Sequence, residues 1–312
     1  MRVELVAPPP ADLTNGNRVT AMRWARMIRE LGHSAHVQHG YDGRSADVLV
    51  ALHAVKSYSA VRQFRARYPD RPVVVALTGT DVYGDHDYEA ALSEAVRIIV
   101  LQKRALRAVG RGHRARTRVI YQSAEPLEDP PPRVSRRFRV AVVGHMRAVK
   151  DPFRTAIAAR GLPESSRVEI RHAGEALNAS MKRRAKAEMD RNPRYRWIGA
   201  TTPGAARRLI ASSHLVAITS HAEGSSNVLS EALAARTPVI ASRIPGLIGT
   251  LGASYPGFFV HGDTAALRRL LVRAETDPPY YRRLQHACRT AAKLVEPRRE
   301  RAAWRALLRE LR

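Results

Sequence analysis

The chain has 312 residues, 45% of them hydrophobic, which excludes wholesale disorder and, at about 150 residues per domain, favours two domains. Lys and Arg number 53 against 28 Asp and Glu, a net charge of +25, so a nucleic-acid binder is the first reading to weigh. The single Cys288 excludes a disulfide framework and a Cys-rich metal centre and suits a reducing compartment.

Strand and helix patterns alternate from the start. Residues 3–7 (VELVA) form a short apolar run ahead of a Pro-rich loop, and a helix is predicted from Arg18 to Leu31, closed by Gly32. Strands follow at 33–37, 47–52, 72–77, 97–101 and 118–121, with helical segments at 56–67, 88–95 and 103–109. Near-continuous Val/Ile/Leu runs such as PVVVAL describe strands covered on both faces, hence a parallel sheet wound with helices.

Gln122–Arg137 carries four prolines and no apolar period, and marks the domain boundary. The expected division is a first domain over 1–125, a linker over 126–137, a second domain over 138–296, and a last helix, 297–312, that crosses back to the first domain. In the second half, strands are predicted at 138–144, 167–174, 194–199, 213–219, 237–242 and 257–260. Helices are predicted near 152–160, 177–191, 203–212, 226–235, 263–275, 278–293 and 297–311. The expected fold class is therefore α/β: two Rossmann-like, doubly wound parallel-sheet domains facing across a cleft, with ligands outside the carboxyl ends of the strands.

The basic residues are mostly Arg and are spread along the chain. The densest run, Lys103–Arg118, has seven basic and no acidic residues; it suits a phosphate face, an anionic membrane surface, or a solvated helix and loop. Aromatics, at 6%, are not interleaved with it, so no stacking platform for single strands is present and no nucleic acid is expected as a partner. The N-terminal MRVELVAPPP is too short in apolar residues for a signal segment, and the uncharged window Ile244–Gly262 is too rich in Gly, Ser and Pro for a span. A cytoplasmic protein without membrane contact is expected.

The most informative stretch is 217–246, AITSHAEGSSNVLSEALAARTPVIASRIPG. A strand runs into Glu223-Gly224-Ser225-Ser226-Asn227-Val228, then a helix carrying Glu231, then another strand. Small residues and free N–H groups at a helix N-terminus suit a diphosphate, and a carboxylate within reach suits the vicinal hydroxyls of a ribose. The plainer alternative makes Ser226 a simple N-cap and Glu231 a surface residue.

With Thr237-Pro238-Val239-Ile240-Ala241-Ser242 after it, this stretch resembles the nucleotide-sugar signature of glycosyltransferase family 4, whose fold is of GT-B type. The resemblance implies that Glu231 binds the nucleotide ribose and Glu223 the donor sugar. It also implies that the backbone of Ser225 to Val228 holds sugar and phosphate. Gly144-His145-Met146-Arg147-Ala148-Val149-Lys150 agrees with it: the family carries an Arg after the Gly and a Lys six after the Gly, both on the donor diphosphate. Lys150 matches, His145 replaces the Arg, and Arg147 stands as a second cation. Arg147, Lys150 and Glu223 are the expected catalytic residues, since fixed cations stabilise a leaving diphosphate.

In the first half, strand ends of a doubly wound sheet converge on one rim, which gathers Gly16, Asn17, Arg18, Thr20, His53, Lys56, Thr80 and Asp81 as expected acceptor-binding residues. Segments 16–33, 49–54, 74–83, 119–124, 144–154, 192–199 and 226–234 are similar to the selenosugar synthases of selenoneine biosynthesis. That resemblance implies transfer of N-acetylglucosamine from a UDP-sugar to selenophosphate, forming a C–Se bond. Family-4 enzymes carry a His ahead of an Asp near the acceptor; here the pair is Thr80-Asp81. A selenium anion is a strong nucleophile, so no general base is required, while an anionic acceptor calls for cations and amide donors.

No cofactor and no metal are expected: Asp85-His86-Asp87 is a weak metal motif, and His33, His36 and His39 lack Cys or carboxylate partners. The runner-up readings are a family-4-like enzyme that acts on another acceptor at an anionic membrane surface, and a non-enzymatic nucleic-acid binder. Oligomeric state has no signal in the residues.

Overall fold

The computed structural model describes residues 1–8, 16–79, 81–83 and 87–312. The apolar runs pair into two six-stranded sheets, every pairing parallel. By contacts the chain divides into two units: Met1–Gln122 with Glu223–Ser226 and Pro297–Arg312, and Ser123–Ala222 with Asn227–Glu296.

The first unit contains β1 (Arg2–Val6), α1 (Gly16–Glu30), β2 (Ser34–Gln38), β3 (Val48–Leu52), α2 (Tyr58–Arg67), β4 (Val73–Leu77), α3 (Glu89–Ser93), β5 (Arg97–Val100) and β6 (Thr117–Val119). Its strand order is β2-β1-β3-β4-β5-β6. β3 and β4 are buried at every residue, which is why they read as unbroken apolar runs. The order reverses between β1 and β3, the place where such sheets open a crevice at the carboxyl ends of their strands.

α1 buries Thr20, Ala21, Trp24, Ala25, Met27 and Ile28, one face at helical spacing, and Gly32 (φ 83°) ends the turn beyond it. Trp304, Leu307 and Leu308 of the last helix lie in the same core cluster, with Trp304 edge-on to Trp24 at 5.0 Å between centroids. Buried Glu300 accepts from Trp24 Nε1 at 2.6 Å and from Arg23 Nε at 3.0 Å. A hydrogen bond to a buried charge contributes about 1.5–3 kcal/mol. Glu300→Gln, which keeps an acceptor but loses the charge, is therefore expected to lower unfolding stability by that amount in urea titration; no change would remove this pair from the first unit's stabilising contacts.

The second unit contains β7 (Phe138–Val143), α4 (Arg154–Arg160), β8 (Val168–Ala173), α5 (Ala179–Arg191), β9 (Tyr195–Trp197), α6 (Pro203–Ala211), β10 (Leu215–Ile218), α7 (Asn227–Ala234), β11 (Val239–Ser242), α8 (Pro245–Leu251), β12 (Phe258–Phe259), α9 (Thr264–Thr276) and α10 (Pro278–Ala292). α11 (Pro297–Glu310) belongs to the first unit. The order β12-β11-β10-β7-β8-β9 is the 3-2-1-4-5-6 sheet of dinucleotide-binding folds, with its reversal between β7 and β10. Each sheet with its flanking helices is a Rossmann-like α/β unit, the fold class expected from the sequence.

Lys103–Arg107 and α8 depart from the sequence reading. Lys103–Arg107 forms a 3₁₀ turn rather than an α-helix, because Gly110 and Gly112 follow at once and Gln102 accepts from Ala105 N at its start. α8 lies in the Gly-, Ser- and Pro-rich window where no helix is predicted. Pro245 at its first position, Leu247, Ile248 and Leu251 on one face and Gly252 (φ 88°) after it are the signals that mark it.

Much of the basic charge has a structural use. Arg207 donates to Glu125 O (2.5 Å), Arg208 to Asp129 O (3.3 Å) and Arg133 to Arg236 O (3.2 Å), which holds the Pro-rich segment on the second unit. Arg65 likewise ties the carbonyls of Pro69, Arg71 and Glu94. Among the described residues no helix is long and apolar enough to cross a membrane.

Candidate functional site: the β7 and β10 loops and the rim of the first sheet

At the reversal of the second sheet, two loops leave adjacent strands and are bound to one another. After β7 the chain runs through Gly144, His145 and Arg147 into a 3₁₀ turn, Ala148–Lys150, and ends on Asp151. After β10 it runs Thr219-Ser220-His221. The Thr219 hydroxyl donates to Lys150 O (3.1 Å) and Asp151 O (2.9 Å), and His221 N donates to Val149 O (2.8 Å). These bonds tie the backbone of the loop bearing Arg147 and Lys150 to the loop after β10. Arg147's guanidinium makes no hydrogen bond or ion pair among the described residues, and Lys150 is half-buried. His145 Nδ1 accepts from Glu175 N at 3.2 Å, so the ring in the family's Arg position is tied to the loop after β8.

Beneath Gly144 lies a buried support. His172 is sealed from solvent, and desolvation drives its pKa from 6.5 down to about 4. The neutral ring takes a hydrogen bond from Tyr195 Oη at Nδ1 (2.9 Å) and offers Nε2–H to Gly144 O (3.4 Å). Since the unfolded chain protonates this group at higher pH than the folded one, stability is complete above pH 6.5. It is lost as pH falls toward 4, by about 3 kcal/mol at 1.36 kcal/mol per unit. Urea unfolding at pH 7 and pH 4 is expected to show this loss in the native chain and a smaller one in His172→Gln; equal slopes would contradict it.

Of the other residues expected at the donor, Asn227 and Val228 open α7 and Glu231 lies half-buried on its second turn. Glu223–Ser226 groups with the first unit. Glu223, Gly224 and Ser226 are buried and Ser225 half-buried. Gln102 Nε2 donates to Gly224 O at 3.3 Å, and a Cβ on Gly224 would lie 2.7 Å from the carbonyl carbon of Thr78, so only glycine permits this approach.

Of the residues expected at the acceptor, Gly16 and Asn17 begin α1, and Arg18 Nη1 donates to His39 Nε2 (2.7 Å), whose Nδ1 faces Ala7 O (3.3 Å). Thr20 is fully buried; its hydroxyl donates to Gly16 O (2.7 Å) and accepts from Gln122 Nε2 (2.5 Å), so it shapes the helix start. His53, at the carboxyl end of β3, is buried with a left-handed backbone (φ 71°), a strained conformation of a kind that clusters at functional sites. Its Nδ1 lies 3.8 Å from Asp81 Oδ2. Asp81, fully buried, accepts from Ala54 N (3.0 Å) and Gly79 N (2.7 Å), and so holds the loops after β3 and β4 together. Lys56 is exposed beside them. Thr80, Asp85 and His86 lie outside the described residues.

The structure thus joins His53 to Asp81, and Arg18 to His39, where the residues read singly show no pairing. Gln102, Gln122 and His172 are additional members of these frameworks. The first two directly follow strand patterns (RIIVL-Gln, RVIY-Gln), and a polar residue in that place is the signal that finds them.

Comparison with known proteins agrees with this layout. The chain resembles the solved structure of Alr3699/HepE from Anabaena in complex with UDP, at TM-score 0.76 and 14% identity over 99% of this chain and 100% of that one. A glycosyltransferase from Rickettsia africae is similar at TM-score 0.76 and 12% identity, covering 99% and 98% of the two chains. Sucrose-phosphate synthase from Thermosynechococcus elongatus is similar at TM-score 0.78 and 15% identity, again covering 99% and 98%. No curated protein sequence matches the chain. The family model "Glycosyl transferases group 1" matches residues 125–294, more than half of the chain and nearly all of the second unit. The chain belongs to the group 1 glycosyl transferases.

Proposed function

We propose that the chain transfers N-acetylglucosamine from its UDP donor to selenophosphate, giving a sugar with a C–Se bond. The observation that supports donor use most directly is the prebuilt loop pair after β7 and β10, which fixes Arg147 and Lys150 at the sheet's reversal. The similar HepE structures are described in complex with UDP and with UDP-glucose. In this reading Arg147, Lys150 and the first amides of α7 take the diphosphate, Glu231 the ribose and Glu223 the sugar. Charge that develops on the leaving diphosphate meets cations already in place, so little reorganisation accompanies bond cleavage.

The acceptor reading rests on the resemblance of the first-half segments and on the groups at that unit's rim, Arg18, Lys56 and the strained His53. Selenium attacks the anomeric carbon, the bond to UDP breaks, and the selenophosphate P–Se bond is cleaved with water as phosphate acceptor. Anaerobic incubation with UDP-N-acetylglucosamine and selenophosphate, read by mass spectrometry, tests the proposal. A selenium-bearing sugar together with UDP is expected. Release of UDP only when another acceptor is supplied would leave the family activity and overturn this substrate.

A further inference from the structure

Beside the loops just described, a group of side chains has no part in the proposed transfer. Asp151, His221 and His261 come from three different loops, after β7, β10 and β12. One ring nitrogen of each histidine and one carboxylate oxygen of Asp151 lie within 4.8 Å of one another. The two rings are 3.9 Å apart between centroids, tilted by 50°. His261 Nε2 is sealed from solvent and has no hydrogen-bond partner among the described residues, an arrangement that costs free energy unless something occupies it. His221, by contrast, is exposed, so the cluster has an open side.

The surroundings hold these groups in place. Asp151 has a left-handed backbone (φ 43°), and its carbonyl accepts from the Thr219 hydroxyl at 2.9 Å. Arg154 Nε binds one carboxylate oxygen, Oδ2, at 2.6 Å and leaves the other without a hydrogen bond among the described residues. The same guanidinium donates to Gly262 O (3.0 Å) and Thr264 Oγ1 (2.9 Å), immediately after His261. It therefore orients the carboxylate and the loop of one histidine together, the work of an outer-shell residue at a metal centre.

We propose that Asp151, His221 and His261 bind one divalent transition-metal ion of the zinc class, with a fourth position open to solvent. Two imidazoles and one carboxylate are the donor set that favours such ions over Mg²⁺ or Ca²⁺, which take oxygen ligands. The ion ties three loops that are distant in sequence, and so stiffens the carboxyl-end rim of the second sheet. The proposal is independent of the sugar donor and of the acceptor.

The test uses the full chain, stripped with chelator and titrated with Zn²⁺ alone in a calorimeter. One equivalent is expected to bind with micromolar or tighter affinity, and X-ray absorption of the loaded chain is expected to show two imidazole nitrogens and carboxylate oxygen. His221→Ala, on the exposed member, is expected to weaken binding at least 30-fold, and His261→Asn likewise. His286→Ala, on an exposed histidine of α10, is expected to leave it unchanged. Zn²⁺ is expected to raise the midpoint of thermal unfolding in the native chain and not in His221→Ala. No stoichiometric binding, or binding equally strong in His221→Ala, would overturn the proposal.

Discussion

Lys150→Ala is expected to lower turnover about 10²- to 10³-fold, the loss seen when one preorganised group that stabilises transition-state charge is removed. The argument starts from the loop. Lys150 closes the 3₁₀ turn Ala148–Lys150, and its own carbonyl is held by Thr219, so the backbone that carries the ammonium cannot drift away from the site. In the proposed reaction the diphosphate gains charge as the glycosidic bond breaks, and a cation held in advance stabilises that state more than the bound donor. The effect therefore falls mainly on kcat, with a smaller rise in the KM for the sugar donor. Steady-state rates of UDP release check it. A change confined to KM would make Lys150 a ground-state anchor, and no change would remove it from the mechanism.

Gly174→Ala is expected to abolish donor binding and to lower stability by about 3 kcal/mol, the upper end of the cost of overpacking. Gly174 has φ 154° and follows β8; a Cβ there would lie 1.9 Å from Gly144 O and 2.4 Å from its carbonyl carbon. Both contacts are to backbone, so no rotamer change relieves them. Gly144 is the first residue of the cation-bearing loop and takes the His172 hydrogen bond, so a displaced Gly144 carries Arg147 and Lys150 with it. Gly204→Ala, in a helix with nothing within 4 Å of the added carbon, is the matched control and is expected to be neutral or slightly stabilising. Chemical denaturation and UDP titration of both variants check the pair. Equal behaviour would mean that the β7 loop accommodates the extra carbon and is not rigid.

How much of this was legible in the residues depends on the kind of feature. Unbroken runs such as PVVVAL announce buried parallel strands, since a strand covered on both faces has no polar alternation to hide it. The strand–loop–helix–strand order of 217–246 was legible because its residues are contiguous. α8 was not, because two glycines and a proline weaken its helical pattern, and its helix-start and helix-end signals lie inside a window that otherwise reads as loop. Pairings between distant residues were invisible: nothing local ties His53 to Asp81, which follow the adjacent strands β3 and β4, or His221 to His261, which follow β10 and β12 on either side of β11. The setting of Thr20 was hidden for a related reason. Its position at the start of α1 was legible, but not the hydroxyl's engagement with Gly16 and Gln122 inside the core. The +25 charge, which first suggests nucleic acid, resolves in part into arginines that tie backbone carbonyls, a task for which the guanidinium's forked donors are suited.

The central claim is that the second unit holds a UDP-sugar on Arg147, Lys150 and Glu231. Calorimetric titration of the full chain with UDP, native against Glu231→Ala, tests it most directly. One UDP per chain is expected, with affinity reduced at least about tenfold in the variant, the loss of a charged hydrogen bond to the ribose being worth about 1.5–3 kcal/mol. No UDP binding by the native chain, or equal affinity in Glu231→Ala, would contradict the account.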